Sequence, residues 1–116
     1  MENTEVVDTT SKYIVKSTGI GSETDEVLVN AETELTGGTN KSTVSLIECF
    51  YLIEGTGTLK ISTESENDDL ELTGKGKYGL RPGQLKFGND KIFKLTTDSN
   101  ITSYLLVTEF RRETNG

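Results

Sequence analysis

The chain of 116 residues contains no histidine and no tryptophan, and only one cysteine, one proline and one methionine. Without histidine it lacks the side chain that titrates near neutral pH and most often ligates transition metals. That excludes a His general base, a Ser-His or Cys-His nucleophilic pair and an imidazole-rich metal site. The single Cys49 cannot close an internal disulfide, so stability must rest on packing, and this usage fits a reducing, intracellular compartment. Set between Glu48 and Phe50 in the most apolar stretch, Cys49 reads as a small buried hydrophobe rather than a nucleophile. No apolar run approaches the roughly 20 residues that span a bilayer. Met1–Thr10 is polar and acidic, with neither the basic start nor the apolar stretch of a signal peptide, so membrane insertion and secretion are not expected. Twelve Lys and Arg stand against 19 Asp and Glu, a net charge of −7, and this deficit of cations argues against direct nucleic-acid binding.

What is present describes a single all-β domain. Only 32% of the residues are hydrophobic, and they are bunched in short runs separated by polar segments, with 12 glycines to supply turns. The densest run is Thr43–Ser62, TVSLIECFYLIEGTGTLKIS, which reads as two strands joined by a Gly55/Gly57 turn. Strict alternation along the first strand places Val44, Leu46, Glu48, Phe50 and Leu52 on one face and Ile47, Cys49, Tyr51 and Ile53 on the other. Both faces are apolar, which predicts a strand covered on both sides, by the domain interior and by something else such as another subunit.

Along the rest of the chain, residues 1–11 read as a disordered or linker lead, 12–110 as the folded domain and 111–116 as a polar tail. Strands are predicted at Lys12–Lys16, Glu26–Asn30, Leu70–Thr73, Gln84–Phe87, Lys91–Thr96 and Ile101–Phe110. Turns are predicted at Gly74–Lys77, Arg81-Pro82-Gly83 and Gly88–Asp90. Glu64–Asp69, ESENDD, lacks the ligand spacing of a helix-loop-helix calcium loop and reads as a solvated tip. Lys75, Lys77, Arg81, Lys86, Lys91 and Lys94 read as a solvated strand edge on which lysine discourages unwanted pairing. Some nine or ten short strands without helical periodicity predict a sandwich or closed barrel.

This order of motifs resembles the cupin family of small jelly-roll barrels. Glu48 and Gly55 carry the spacing of the first cupin motif, YLIEGTGTLKI resembles its hairpin, LRPGQLKF the opening of the second motif, and TTDSNITSYLLVTEF the final turn and strand. The resemblance covers residues 41–110 and implies a cupin-like double-stranded β-helix. It also shows what is replaced. The two histidines of the first motif fall at Lys41 and Thr43, or at Ser42 and Val44, and that of the second at Lys94 or, with a shorter loop, at Phe93, which alternation favours as the inward position. No metal and no cofactor is therefore expected, and no catalytic residue is assigned.

Two functions remain open at this stage. In the first, a metal-free cupin acts as a homodimerisation and protein-interaction module, with Ile47, Cys49, Tyr51 and Ile53 as dimer-interface candidates. The chain here is similar to the metal-free dimerisation cupin of centromere protein C, a resemblance that implies a protein partner, a kinetochore role and a nuclear location. In the second, the barrel interior binds a small molecule or runs metal-independent chemistry. Glu48 would then be the polar anchor, or an acid or base of raised pKa, with Phe50, Leu52, Leu85, Phe87, Phe93 and Leu95 as the lining. If those side chains fill the interior, the first function is favoured.

Overall fold

The computed structural model describes residues 1–9, 11–35, 37–39, 41–64, 69–79 and 87–114, the last including 87–89, 113 and 114 by backbone only. Among these lie ten strands: β1 (Glu2–Asp8), β2 (Lys12–Gly19), β3 (Glu26–Asn30), β4 (Ser42–Gly55), β5 (Leu59–Thr63), β6 (Leu70–Leu72), β7 (Lys75–Tyr78), β8 (Phe87–Asp90), β9 (Ile92–Thr97) and β10 (Ile101–Thr114). They form two sheets. One has the order β1-β2-β10-β4-β7, with β8 also pairing to β4; the other has the order β3-β9-β5-β6. Every pairing is antiparallel. The sets β2-β10-β4-β7 and β3-β9-β5-β6, with successive strands passing from one sheet to the other, make the double Greek key of a jelly roll. The fold is thus all-β, a two-sheet jelly roll of the kind that the sequence predicts.

The core lies between the sheets. Val15, Val44, Leu46 and Leu106 of the first sheet meet Leu28, Leu59, Ile61 and Leu95 of the second, all fully buried. Phe93 and Phe110 close the centre edge to face, with ring centroids 5.0 Å apart. On the β1/β3 side the sheets are tied by Asn3, whose side-chain amide donates to the carbonyl of Val27 (3.1 Å) while accepting from the Ser17 hydroxyl (2.6 Å).

Several expectations are corrected. Residues 2–8 are not a linker lead but strand β1, whose side chains are mostly exposed and whose backbone pairs with β2 from Glu2↔Thr18 to Asp8↔Tyr13. The polar tail continues β10 as far as Thr114, paired with Ser42. There Arg112 donates through Nη1 to the carbonyl of Thr9 (2.9 Å) and to the Asp8 carboxylate (3.4 Å), fastening the β1–β2 turn. In both segments backbone pairing does what apolar alternation does elsewhere, so hydropathy gave no sign of either strand. Gly74–Lys77, expected as a turn, largely becomes β7, and Gly88–Asp90 becomes part of β8. The β4–β5 segment is not a hairpin, since β4 and β5 lie in different sheets. Gly55, at φ 103° and with the Asn100 carbonyl where a Cβ would stand, lets the chain leave one sheet for the other. The Arg81-Pro82-Gly83 turn, residues 84–86 of the Gln84–Phe87 strand and residues 65–68 of the acidic tip lie outside the described residues.

Candidate functional site

The feature that decides the site is a β-bulge in β4. Glu109 pairs with Glu48 and Phe110 with Leu46, so Ile47 is the extra residue on β4. A bulge residue shifts the side-chain phase by one. Before it, Val44 and Leu46 point into the core; after it, Cys49 and Ile53 do, at 1% and 5% exposure. Gly79, at φ 81°, backs onto the bulge so closely that a Cβ would lie 2.3 Å from the Ile47 carbonyl oxygen. The close approach requires glycine there.

The two faces read from strict alternation are therefore exchanged beyond Ile47. Of the interior candidates, Phe93 and Leu95 are fully buried in the core. Glu48, Phe50 and Leu52 are not interior: Phe50 is 50% and Leu52 37% exposed, and the Glu48 carboxylate meets the Lys77 ammonium at 2.6 Å in a half-exposed ion pair. Of the interface candidates, Cys49 and Ile53 belong to the core, Tyr51 packs against it and Ile47 is the half-buried bulge residue. Leu85 lies outside the described residues, and Phe87 is described only as part of β8.

What the exchange creates is an apolar outer face. Strand register sets out its rows. One row runs Glu2, Thr18, Leu105, Leu52, Lys75 across β1, β2, β10, β4 and β7, and the next runs Thr4, Lys16, Val107, Phe50, Lys77. A third brings Val7, Ile14, Glu109 and Glu48 together. Directly opposed residues in a sheet share a face, so Phe50, Leu52, Leu105, Val107 and Ile14 are contiguous, framed by lysines and carboxylates. All five are at least partly exposed. The outer face of the other sheet carries Lys60, Ser62, Glu71, Lys94 and Thr96 at corresponding positions, with Val27, 39% exposed beside Lys94, as an isolated apolar residue on a mainly polar surface. Leu105, Val107 and Ile14 were absent from the sequence-derived candidates. The signal of Leu105 and Val107 was present in ITSYLLVTEF, which like β4 is apolar in both phases, and that of Ile14 in the strand Lys12–Lys16, where Ile14 stands between the core residues Tyr13 and Val15.

The interior offers no comparable site. At positions where the cupin resemblance would set histidines, Val44 and Phe93 are fully buried apolar groups, while Lys41 is exposed and Thr43 half-buried. Cys49 is buried, and burial pushes its thiol up from 9.0 to about 12, which keeps it protonated and unreactive at neutral pH. Burial, reinforced by the Glu23 carboxylate that accepts its hydrogen bond, also raises Tyr104. Among the described residues no three His, Cys, Asp or Glu side chains converge as a metal-binding group. A depression of about 270 Å³ on the outer side of the β5–β9 region is lined by Thr58, Lys60, Glu71, Thr96, Thr97 and Asp98. The Asp98 carboxylate there accepts from the amides of Thr58 (2.8 Å) and Asn100 (2.9 Å), which binds the turn together rather than a ligand.

No protein-family model and no curated protein matches the chain. Among solved structures it is similar to a cupin domain from Bordetella pertussis Tohama I, with a TM-score of 0.44 and 12% sequence identity over 97% of this chain and 93% of that one.

Proposed function

We propose that this chain is a non-catalytic protein-interaction module that pairs with a second copy of itself through the outer face of the β1-β2-β10-β4-β7 sheet. The observation that carries the reading is the contrast between the two outer faces: Phe50 and Leu52 stand exposed amid Leu105, Val107 and Ile14 on one, while the other is mainly polar, with Val27 a lone exposed apolar residue among Lys94, Ser62 and Thr96. A one-sided apolar sheet face is what an antiparallel sheet shows when something covers it. The size is adequate. At about 3.3 Å per residue and 4.8 Å between strands, the five strands, β4 and β10 with 14 residues each and β7 with 4, give a face of roughly 750 Å², close to the roughly 800 Å² per partner of an ordinary stable interface. A non-catalytic role is supported by the absence of histidine from the sequence, the outward Glu48–Lys77 pair and the protonated, buried Cys49 thiol.

The rival reading, a ligand held inside the barrel, would have to displace Phe93, Phe110 and the aliphatic side chains packed against them. Within the dimer reading, the sequence resemblance to the centromere protein C cupin points to the setting we propose, a nuclear scaffold that gathers protein partners at the kinetochore.

Light scattering across a dilution series tests the pairing. The wild type is expected to hold twice the chain mass, and Phe50→Glu to run as a monomer with an unchanged circular dichroism spectrum, since its new charge meets water. A wild type that is monomeric at every concentration overturns the reading. So does a Phe50→Glu variant that dimerises as well as the wild type.

A further inference from the structure

The outer face has a symmetry of its own that selects how two copies would meet. In the order β1-β2-β10-β4-β7, β10 is the central strand. A two-fold axis running along β10 between two stacked faces carries β1 of one copy onto β7 of the other, and β2 onto β4, with the rows preserved. We infer that the pair forms about this axis, an inference that rests on the homodimer proposed above.

The charges at the two edges carry the argument. Row by row, Glu2 on β1 then faces Lys75 of the second copy on β7, and Thr4 faces Lys77. Lys16 on β2 comes to lie over the Phe50 ring, a cation on an aromatic face. Leu105 and Val107 meet their own counterparts on the axis. Each contact occurs twice, as a self-complementary interface requires. The alternative two-fold axis, perpendicular to the strands, keeps every strand over its own copy. It would set Lys75 against Lys77 of the second copy and Lys77 against Lys75, gathering four ammonium groups at one edge, with a carboxylate, that of Glu48, beside each Lys77. Like charges placed directly opposite one another oppose association, so the axis along β10 is preferred. Stacked sheets cross at about −30°, so the close match holds at Leu105 and Val107 near the centre, and the edge pairs and the ends of β10, with Glu109 and Arg111, are offset from their counterparts by comparable amounts.

Charge reversal at the edges distinguishes the two arrangements by sign. Under the β10 axis, Lys75→Glu sets carboxylate against carboxylate twice per dimer and raises the dissociation constant about tenfold at low ionic strength. The exchanged variant Glu2→Lys/Lys75→Glu is expected to restore it to within about twofold, because the pair is rebuilt with its charges swapped. Under the perpendicular axis Lys75→Glu would tighten the dimer by relieving the lysine cluster, and Glu2→Lys would rescue nothing. Analytical ultracentrifugation of the wild type and the three variants, with circular dichroism to check the fold, reads all of this. A tighter Lys75→Glu dimer, or a failed rescue, overturns the axis while leaving the homodimer standing. A wild type that stays monomeric overturns both.

Discussion

At the level of single residues, neighbours on β4 have opposite duties. Tyr51 packs against the core and lies so close to Gly76 that a Cβ there would come within 2.9 Å of its hydroxyl, while Phe50 beside it faces outward at 50% exposure. A charge at 50 probes the surface, whereas a charge at 51 would have to be buried. Cys49 makes the same point through titration. Burial first of all, with a smaller contribution from Glu48, raises its thiol from 9.0 to about 12, against a weaker lowering by a hydrogen bond to the Tyr78 backbone. Tyr13 rises from 10.0 to about 12, again chiefly through burial, helped by the carboxylates of Glu34, Glu5 and Asp8. Above its ordinary pKa each group loses its proton more readily in the unfolded chain, so the unfolded state gains. Stability from these two groups is therefore intact below pH 9 and falls as pH rises from 9 towards 12. Urea midpoints should be lower at about pH 10.5 than at neutrality. Cys49→Ala should reduce that difference; an unchanged difference would show that the thiol does not contribute to it.

At the level of elements, the bulge at Ile47 does more to define the surface than the composition of β4 does. The apolar residues of β4 are legible in the sequence, and so is the apolar character of both its faces. Their assignment to faces beyond Ile47 was not, because alternation assumes an uninterrupted ladder. Deleting Ile47 sets Leu46 directly before Glu48, and strict alternation then keeps Val44, Leu46, Cys49 and Ile53 inward with Phe50 and Leu52 outward. We expect the deletion variant to keep cooperative thermal unfolding, monitored by near-UV circular dichroism, because no core residue changes sides. Loss of the cooperative transition would mean that the bulge is needed for more than side-chain phase, as at Gly79, held at φ 81° against the Ile47 carbonyl.

At the level of the whole molecule, the two sheets divide the work. The β3-β9-β5-β6 sheet presents a mainly polar face to water, and the β1-β2-β10-β4-β7 sheet an apolar one framed by charge. If the second face is covered by another copy, folding and pairing are thermodynamically linked, and the melting temperature must depend on concentration. A rise of several degrees between micromolar and hundred-micromolar protein is expected for the wild type and none for Phe50→Glu. Equal, concentration-independent melting of both would separate the face from the fold and remove the reason to regard it as an interface. The net charge of −7 works against any self-association at low salt, so the comparison belongs at fixed ionic strength.

The sequence by itself determined the all-β fold class, the main strands and the core positions Phe93 and Leu95. Each of these depends on composition, short-range alternation or the order of motifs. The tertiary structure alone decided which side of β4 faces out, that residues 2–8 and 111–114 are strands, and that Glu48 pairs with Lys77 rather than with a group in the barrel. The physical reason is common to all three. A bulge, an edge strand recruited by backbone hydrogen bonds and a cross-strand ion pair each depend on register with a distant segment, and no local pattern of side chains records that register.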